Sequence, residues 1–145
     1  MNDKQAEALQ YHKAVDLVTR EGGLTAPDLS TYTGEWENTN AHSQGLASAT
    51  LTGRDGTLYL SLTGVGADGP IDWGEAPVEV FSSAPDAAVA SGFMTSYTFP
   101  EMDIRICSLI KLEVMVLQIY TTFTDGSPRQ NYFTREFYVK KAPRS

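Results

Sequence analysis

Apolar side chains at every second position, in short runs divided by turn residues, constrain this chain more than any other feature. Leu58, Leu60 and Leu62 alternate with Tyr59 and Ser61. Phe93, Thr95, Tyr97 and Phe99 form a second such face, and Phe133, Arg135, Phe137 and Val139 a third. A period of two is the spacing of a β-strand with one side turned to a core. About eight strands follow from it, near Tyr32–Asn38, Leu46–Thr52, Leu58–Val65, Val78–Ser82, Ala90–Phe99, Met102–Ile110, Leu112–Phe123 and Tyr132–Lys140. Asp55-Gly56 between two alternating runs is a strong hairpin signal. The glycine-rich stretch from Gly64 to Pro77 reads as the longest loop, and the turn from Asp125 to Arg129 joins the last two strands. Connections this short let neighbours pair antiparallel. A sheet of that kind removes its edges by closing into an up-and-down barrel. At eight strands the interior holds side chains alone or one small ligand.

The segment before the strands has a different period. From about Asp3 to Glu21, Tyr11, Val15 and Val18 share one helical stripe, with Ala8 a turn earlier and Ala14 and Leu17 beside it. Asn2 or Asp3 can cap this helix and Gly22-Gly23 can end it. Residues 24–31, with Pro27 among polar neighbours, read as a linker. The expected organisation is a helix over 1–23, the linker, and a barrel domain over 32–145. If Trp36 points inward, so do Gly34 and Asn38, while Glu35 and Glu37 face water. The run Val114-Met115-Val116-Leu117 is apolar on both faces and asks for cover on both. The amphipathic helix is the natural outer cover. Without it, Met115 and Leu117 would favour association into a homo-oligomer.

The 145 residues fit one domain that needs no metal or disulfide to fold. Eleven basic residues against eighteen acidic give a net charge of −7, which argues against nucleic acid and against anionic membranes. The single cysteine, Cys107, excludes an internal disulfide and points to a reducing compartment. The polar opening residues lack a signal-peptide core, so a soluble, cytoplasmic protein is expected. No stretch approaches the length of a spanning helix.

The first strand reads Thr33-Gly34-Glu35-Trp36-Glu37-Asn38. A Gly-x-Trp opening ahead of an up-and-down barrel resembles the calycin superfamily of lipocalins and avidins, and the Gly-x-Trp-x-Asn form is most similar to the avidins. Asp72-Trp73-Gly74 and Phe123-Thr124-Asp125-Gly126-Ser127 resemble runs in small bacterial calycin-like proteins. The resemblance implies that Trp36 plugs one barrel end and that a basic side chain of the last strand lies across it. Arg135 is the best match for that side chain, with Lys140 behind it. It also implies that Asn38 meets the ligand. The tryptophans that wall a biotin site have no clear counterparts, since Trp73 is the only other tryptophan, so biotin is not the expected ligand. The helix is not part of the avidin pattern.

Little else in the chain signals chemistry. His12 and His42 sit near no other ligand at metal spacing, and no serine lies in a nucleophile elbow. Gly64, Gly66 and Gly69 do not lead from a strand into a helix, so no nucleotide loop is read. Cys107 reads as a core side chain. Asp72 and Glu75, beside Trp73, could serve as acid and base at a barrel mouth, or belong to a turn. Arg135 is either the lid over Trp36 or a ligand contact. Tyr97 and Tyr120 offer hydroxyls to a cavity, or fill a core. The expectation is a barrel that binds a small apolar or aromatic molecule, with Trp36, Asn38, Tyr97 and Tyr120 as binding residues and Asp72, Glu75 and Arg135 as catalytic ones. Resemblance to bacterial helper enzymes of secondary metabolism favours a cofactor-independent cyclase, dehydratase or isomerase. The alternatives are a carrier that leaves its ligand unchanged and a structural barrel filled by its own side chains.

Overall fold

A computed structural model describes residues 27–142. The strands are β1 (Gly34–Asn38), β2 (Leu46–Arg54), β3 (Thr57–Gly66), β4 (Gly69–Ser82), β5 (Ala90–Phe99), β6 (Met102–Lys111), β7 (Val114–Phe123) and β8 (Tyr132–Lys140). Each pairs antiparallel with the next, and β8 closes on β1 through Trp36↔Lys140, Glu37↔Val139 and Asn38↔Tyr138. The eight-stranded up-and-down barrel expected from the alternation is the fold. Asp55 and Gly56 turn β2 into β3 with φ of 52° and 79°, as a tight hairpin of that sequence requires. The expected helix lies outside the described residues. Among those residues no helix is long and apolar enough to cross a membrane.

The stretch from Gly64 to Pro77 is not a loop. It is the end of β3 and most of β4, folded back at Ala67-Asp68, with Gly64↔Ile71, Val65↔Pro70 and Gly66↔Gly69 in register. Gly64 and Gly66 serve close approach, while Gly69 and Gly74 supply positive φ, 127° and 85°, at the turn and beside the bulge. A Cβ on Gly66 would lie 2.6 Å from the Gly69 carbonyl oxygen and 2.6 Å from Ile71 Cδ1. The ladder slips by one residue between Leu62 and Thr63, and this bulge re-aims Trp73.

The core is the inner face of the tube. Leu58, Leu60 and Leu62 of β3, Phe93 of β5, Ile104 and Ile106 of β6, and Met115, Leu117 and Ile119 of β7 are all buried. The two-sided apolar run on β7 resolves by parity. Met115 and Leu117 point inward with no exposure, so they cannot drive association. Val114 and Val116 face out and are half-buried. Val116 sits between Leu109 and Phe137 in one outer cross-strand row, and both of these neighbours are exposed.

One end of the barrel is sealed by the segment before β1, which includes part of the expected linker. Asp28 bridges Val89 in parallel, its N–H donating to Ala88 O at 2.7 Å while Ala90 N–H returns to Asp28 O at 3.0 Å. The chain then turns at Leu29 and drops Tyr32 and Trp36 into the barrel, 0% and 1% exposed. Trp36 Nε1 donates to Tyr32 O at 2.8 Å. The Tyr32 hydroxyl lies 3.2 Å from Ser108 Oγ, and its ring meets Phe93 edge-on at 5.1 Å.

The basic side chain across Trp36 is Lys140, not Arg135. Lys140 Nζ lies 5.2 Å from the indole centroid and donates to Ser30 O at 3.2 Å. Gly34 makes room for it, since a Cβ there would come within 3.3 Å of Lys140 Cε. The parity of β8 is the reason. Trp36 pairs with Lys140, so even-numbered residues of β8 face inward and Arg135 faces solvent.

Burial of two phenols, Tyr32 at the sealed end and Tyr97 in the barrel wall, has a pH signature. Desolvation pushes Tyr32 up to about 12, with Ser108 opposing it. Tyr97 is pushed up to about 12 by burial first, then by the charges of Asp72 and Glu75. A raised pKa means that folding favours the protonated phenol. The stabilisation is therefore complete below about pH 10, the ordinary tyrosine value, and is lost as pH rises through 12. The thermal midpoint should fall between pH 10 and pH 12. Tyrosinate absorbance of the native protein should lag behind that of the unfolded chain, and coincident titrations would contradict this.

Candidate functional site

The opposite end of the barrel is open. A cavity of about 590 Å³ lies there, floored by Leu46, Ile104 and Ile119 and walled by Gly64, Val65, Ile71, Trp73 and Met102. Thr121, Tyr132, Thr134 and Glu136 enter it from β7 and β8, and Asn40 with residues 42–45 of the β1–β2 loop roofs one side. Such a concave site, mainly apolar with a few converging polar groups, is the usual form of a small-molecule pocket.

The apolar wall exists because pairing of β4 with β5 ends at Glu79↔Met94. Beyond that point aromatic rings close the gap. Trp73 meets Tyr97 at 5.8 Å and Phe99 at 5.5 Å, both edge-on, and Tyr97 and Phe99 stack at 6.2 Å. The Tyr97 hydroxyl reaches Leu60 O at 2.9 Å and Gly74 O at 3.1 Å. Gly64 is the seat of the indole, since a Cβ there would lie 2.6 Å from Trp73 Nε1. Gly64→Ala should therefore displace Trp73 and cost about 1–3 kcal/mol by overpacking. Denaturant unfolding followed by tryptophan emission reads both effects, and an unchanged spectrum and midpoint would show that the indole is not seated there.

The polar side of the cavity centres on Glu136. Ser43 Oγ donates to Glu136 Oε1, and the Tyr138 hydroxyl donates to Oε2 at 2.9 Å. Ser43 Oγ in turn accepts the Gly45 N–H at 3.1 Å. Gly45 leaves space for the carboxylate, since a Cβ would stand 3.0 Å from Oε1. Tyr138 has no exposed surface, and its hydroxyl is held protonated well above the ordinary range by burial first and by Glu136 second. Both oxygens of the carboxylate are thus fixed by hydroxyl donors. Among the described residues lining the cavity, Glu136 is the only carboxylate, and no lysine or arginine joins it.

The residues expected from sequence lie elsewhere. Asp72 is exposed, and its Oδ1 accepts the Gly74 N–H at 2.8 Å. Glu75 is exposed and ion-paired with Arg54. Both sit opposite outward residues of β3, in the pairs Thr63↔Asp72 and Ser61↔Glu75. Arg135 and Tyr120 are exposed on the outer wall, where Tyr120 stacks on Phe133 at 5.8 Å and accepts from Gln118 Nε2. Tyr97 belongs to the wall behind Trp73, and Trp36 to the sealed end. Asn38 is spent on the backbone. Its Nδ2 donates to Leu46 O and its Oδ1 accepts the Asn40 N–H, both at 2.8 Å. It anchors the loop that carries Ser43. Cys107 sits on the outward parity of β6, half-buried, rather than in the core. Of the groups that do face the cavity, Tyr132, Thr134 and Glu136 follow from strand parity once β8 is read on its even positions, and Thr121 from its pairing with Tyr132, whereas Ser43 lies on a loop and Trp73 on the bulge, where parity gives no signal.

No protein-family model matches the chain, and searches of curated proteins and of solved structures return no match.

Proposed function

We propose that this barrel binds a small, largely apolar or aromatic molecule in its open end. The observation that carries the reading is the make-up of the open end, a cavity of about 590 Å³ with apolar walls and one carboxylate anchored by two hydroxyls. A hollow of about 570 Å³ also lies at the other end, against Trp36, Ile110, Val139 and Lys140, but there Tyr32 and Trp36 plug the barrel interior. The Trp36–Lys140 contact supports kinship with the calycins. A lone thiol at Cys107 fits a reducing, cytoplasmic setting.

A second reading, cofactor-independent catalysis of an isomerisation, cyclisation or dehydration, is favoured by Glu136. A carboxylate oriented by two hydroxyls inside an apolar cavity can take a proton from a bound carbon acid and return it at another position. A carrier and an enzyme share the binding step, so binding is tested first. Native mass spectrometry of protein from its own host should show a co-purifying small molecule. A ligand held at a hundred times its Kd should stabilise the fold by about 2.7 kcal/mol. An empty protein that no apolar compound stabilises would end this reading.

A further inference from the structure

We propose that the ligand presents a protonated amine, or a cation of similar chemistry, to Glu136, with its apolar body against Trp73, Ile104 and Ile119. This rests on the reading of the open end as a binding cavity and names the class of molecule that fits it. Charge is the first argument. With His42 neutral, Glu136 is the only formal charge on the cavity lining among the described residues, and the chain as a whole carries −7. An anionic ligand would enter against both, and a neutral apolar one would leave the carboxylate's remaining acceptor capacity unfilled. A cation matches both.

Geometry is the second argument. Glu136 comes from an inward position of β8, opposite Leu117, so the barrel itself aims it. Ser43 and Tyr138 each donate once, one to each oxygen, and a carboxylate oxygen accepts more than one hydrogen bond. The donors hold the group in place and leave acceptor capacity toward the cavity. An N⁺–H donor filling it would make a charge-assisted bond, the stronger kind. Trp73 and Tyr132 add aromatic rings to the same lining, the surface on which a desolvated cation is best received. The loop that supplies Ser43 is itself built by Asn38 and Asn40, through Asn40 N–H to Asn38 Oδ1 at 2.8 Å and His42 N–H to Asn40 Oδ1 at 3.0 Å. Its turns place the serine donor at the barrel mouth.

The test uses three probes with one apolar body and different heads: 1-naphthylmethylamine, 1-naphthylmethanol and 1-naphthoic acid. Calorimetric titration of the full chain at neutral pH should give the amine at least tenfold tighter binding than the alcohol, with the acid weakest. Raising the salt concentration should narrow the gap between amine and acid. In Glu136→Gln the amine should fall to the level of the alcohol while the alcohol itself is unchanged, which shows that the variant still folds around the cavity. Equal binding of amine and alcohol in the parent protein would overturn the amine assignment and leave the cavity reading standing. Binding by none of the three would overturn both. If Glu136→Gln loses the alcohol as well, Ser43→Ala, which leaves the carboxylate charged, decides. Retention of the amine preference there supports the assignment, and its disappearance overturns it.

Discussion

Trp36→Ala should lower the unfolding free energy by about 3–5 kcal/mol, the range for truncating a large buried aromatic side chain. The ring is 1% exposed and is the largest of the fully buried side chains. Three contacts depend on it. Its Nε1 holds the Tyr32 carbonyl, its face receives Lys140, and its bulk fills the end of the tube between β1 and β8. Removing the indole leaves the Tyr32 carbonyl without that donor inside the barrel and opens a void that neighbouring strands, tied into a closed ladder, cannot collapse to fill. Chemical denaturation should show the midpoint falling with little change in the slope. Trp36→Phe should cost less, because it keeps the bulk and loses the hydrogen bond. If Trp36→Ala costs under 1 kcal/mol, the sealed end does not hold the barrel as described.

Thr134→Trp should abolish binding of apolar ligands, lowering affinity by more than tenfold, while the protein stays folded. Thr134 faces the cavity from β8, directly opposite Ile119 on its floor. It is exposed, so a larger side chain meets open volume rather than packed neighbours. An indole there occupies the space a ligand needs. The same substitution at Arg135, one residue along, points outward and should leave binding unchanged. That pair separates occupation of the cavity from general disturbance of the strand. Equal effects at 134 and 135 would mean that ligand contacts the barrel elsewhere.

The fold was open to sequence reasoning because strand alternation and turn residues act locally. Leu58, Leu60 and Leu62 face one way in any sheet they enter, and Asp55-Gly56 makes its hairpin whatever surrounds it. The glycines after Gly64 misled because glycine is depleted from strands in general, whereas here Gly66 stays bare to let Gly69 and Ile71 pass. The site was less legible for a single reason. On β8 the apolar set Phe133, Phe137 and Val139 looks like a core face, yet it covers the outside of the barrel. The inward set is Tyr132, Thr134, Glu136 and Tyr138, and its partners on β7 are Thr121, Ile119, Leu117 and Met115. Hydrophobicity favours one face and register the other, and a shift of one residue exchanges every side chain. The basic residue over Trp36 held the key. Choosing Lys140 instead of Arg135 fixes the parity of β8 and turns Glu136 toward the cavity. Asn38 and Tyr97 have inward parity but satisfy backbone groups, a use that depends on loop and bulge geometry and is not encoded by residue type. Asp72 and Glu75 fell outside because the slip at Thr63 determines which side of β4 they occupy.

The most direct test of an apolar cavity at the open end is an isotope-filtered nuclear Overhauser experiment on the full chain with the neutral probe N-phenyl-1-naphthylamine. Saturable one-to-one binding is expected, with contacts from the probe rings to the methyl groups of Ile104, Ile119 and Thr134 and none to Leu109 or Val116 on the outer wall. Contacts confined to that outer row, or no saturable binding at all, would contradict the account.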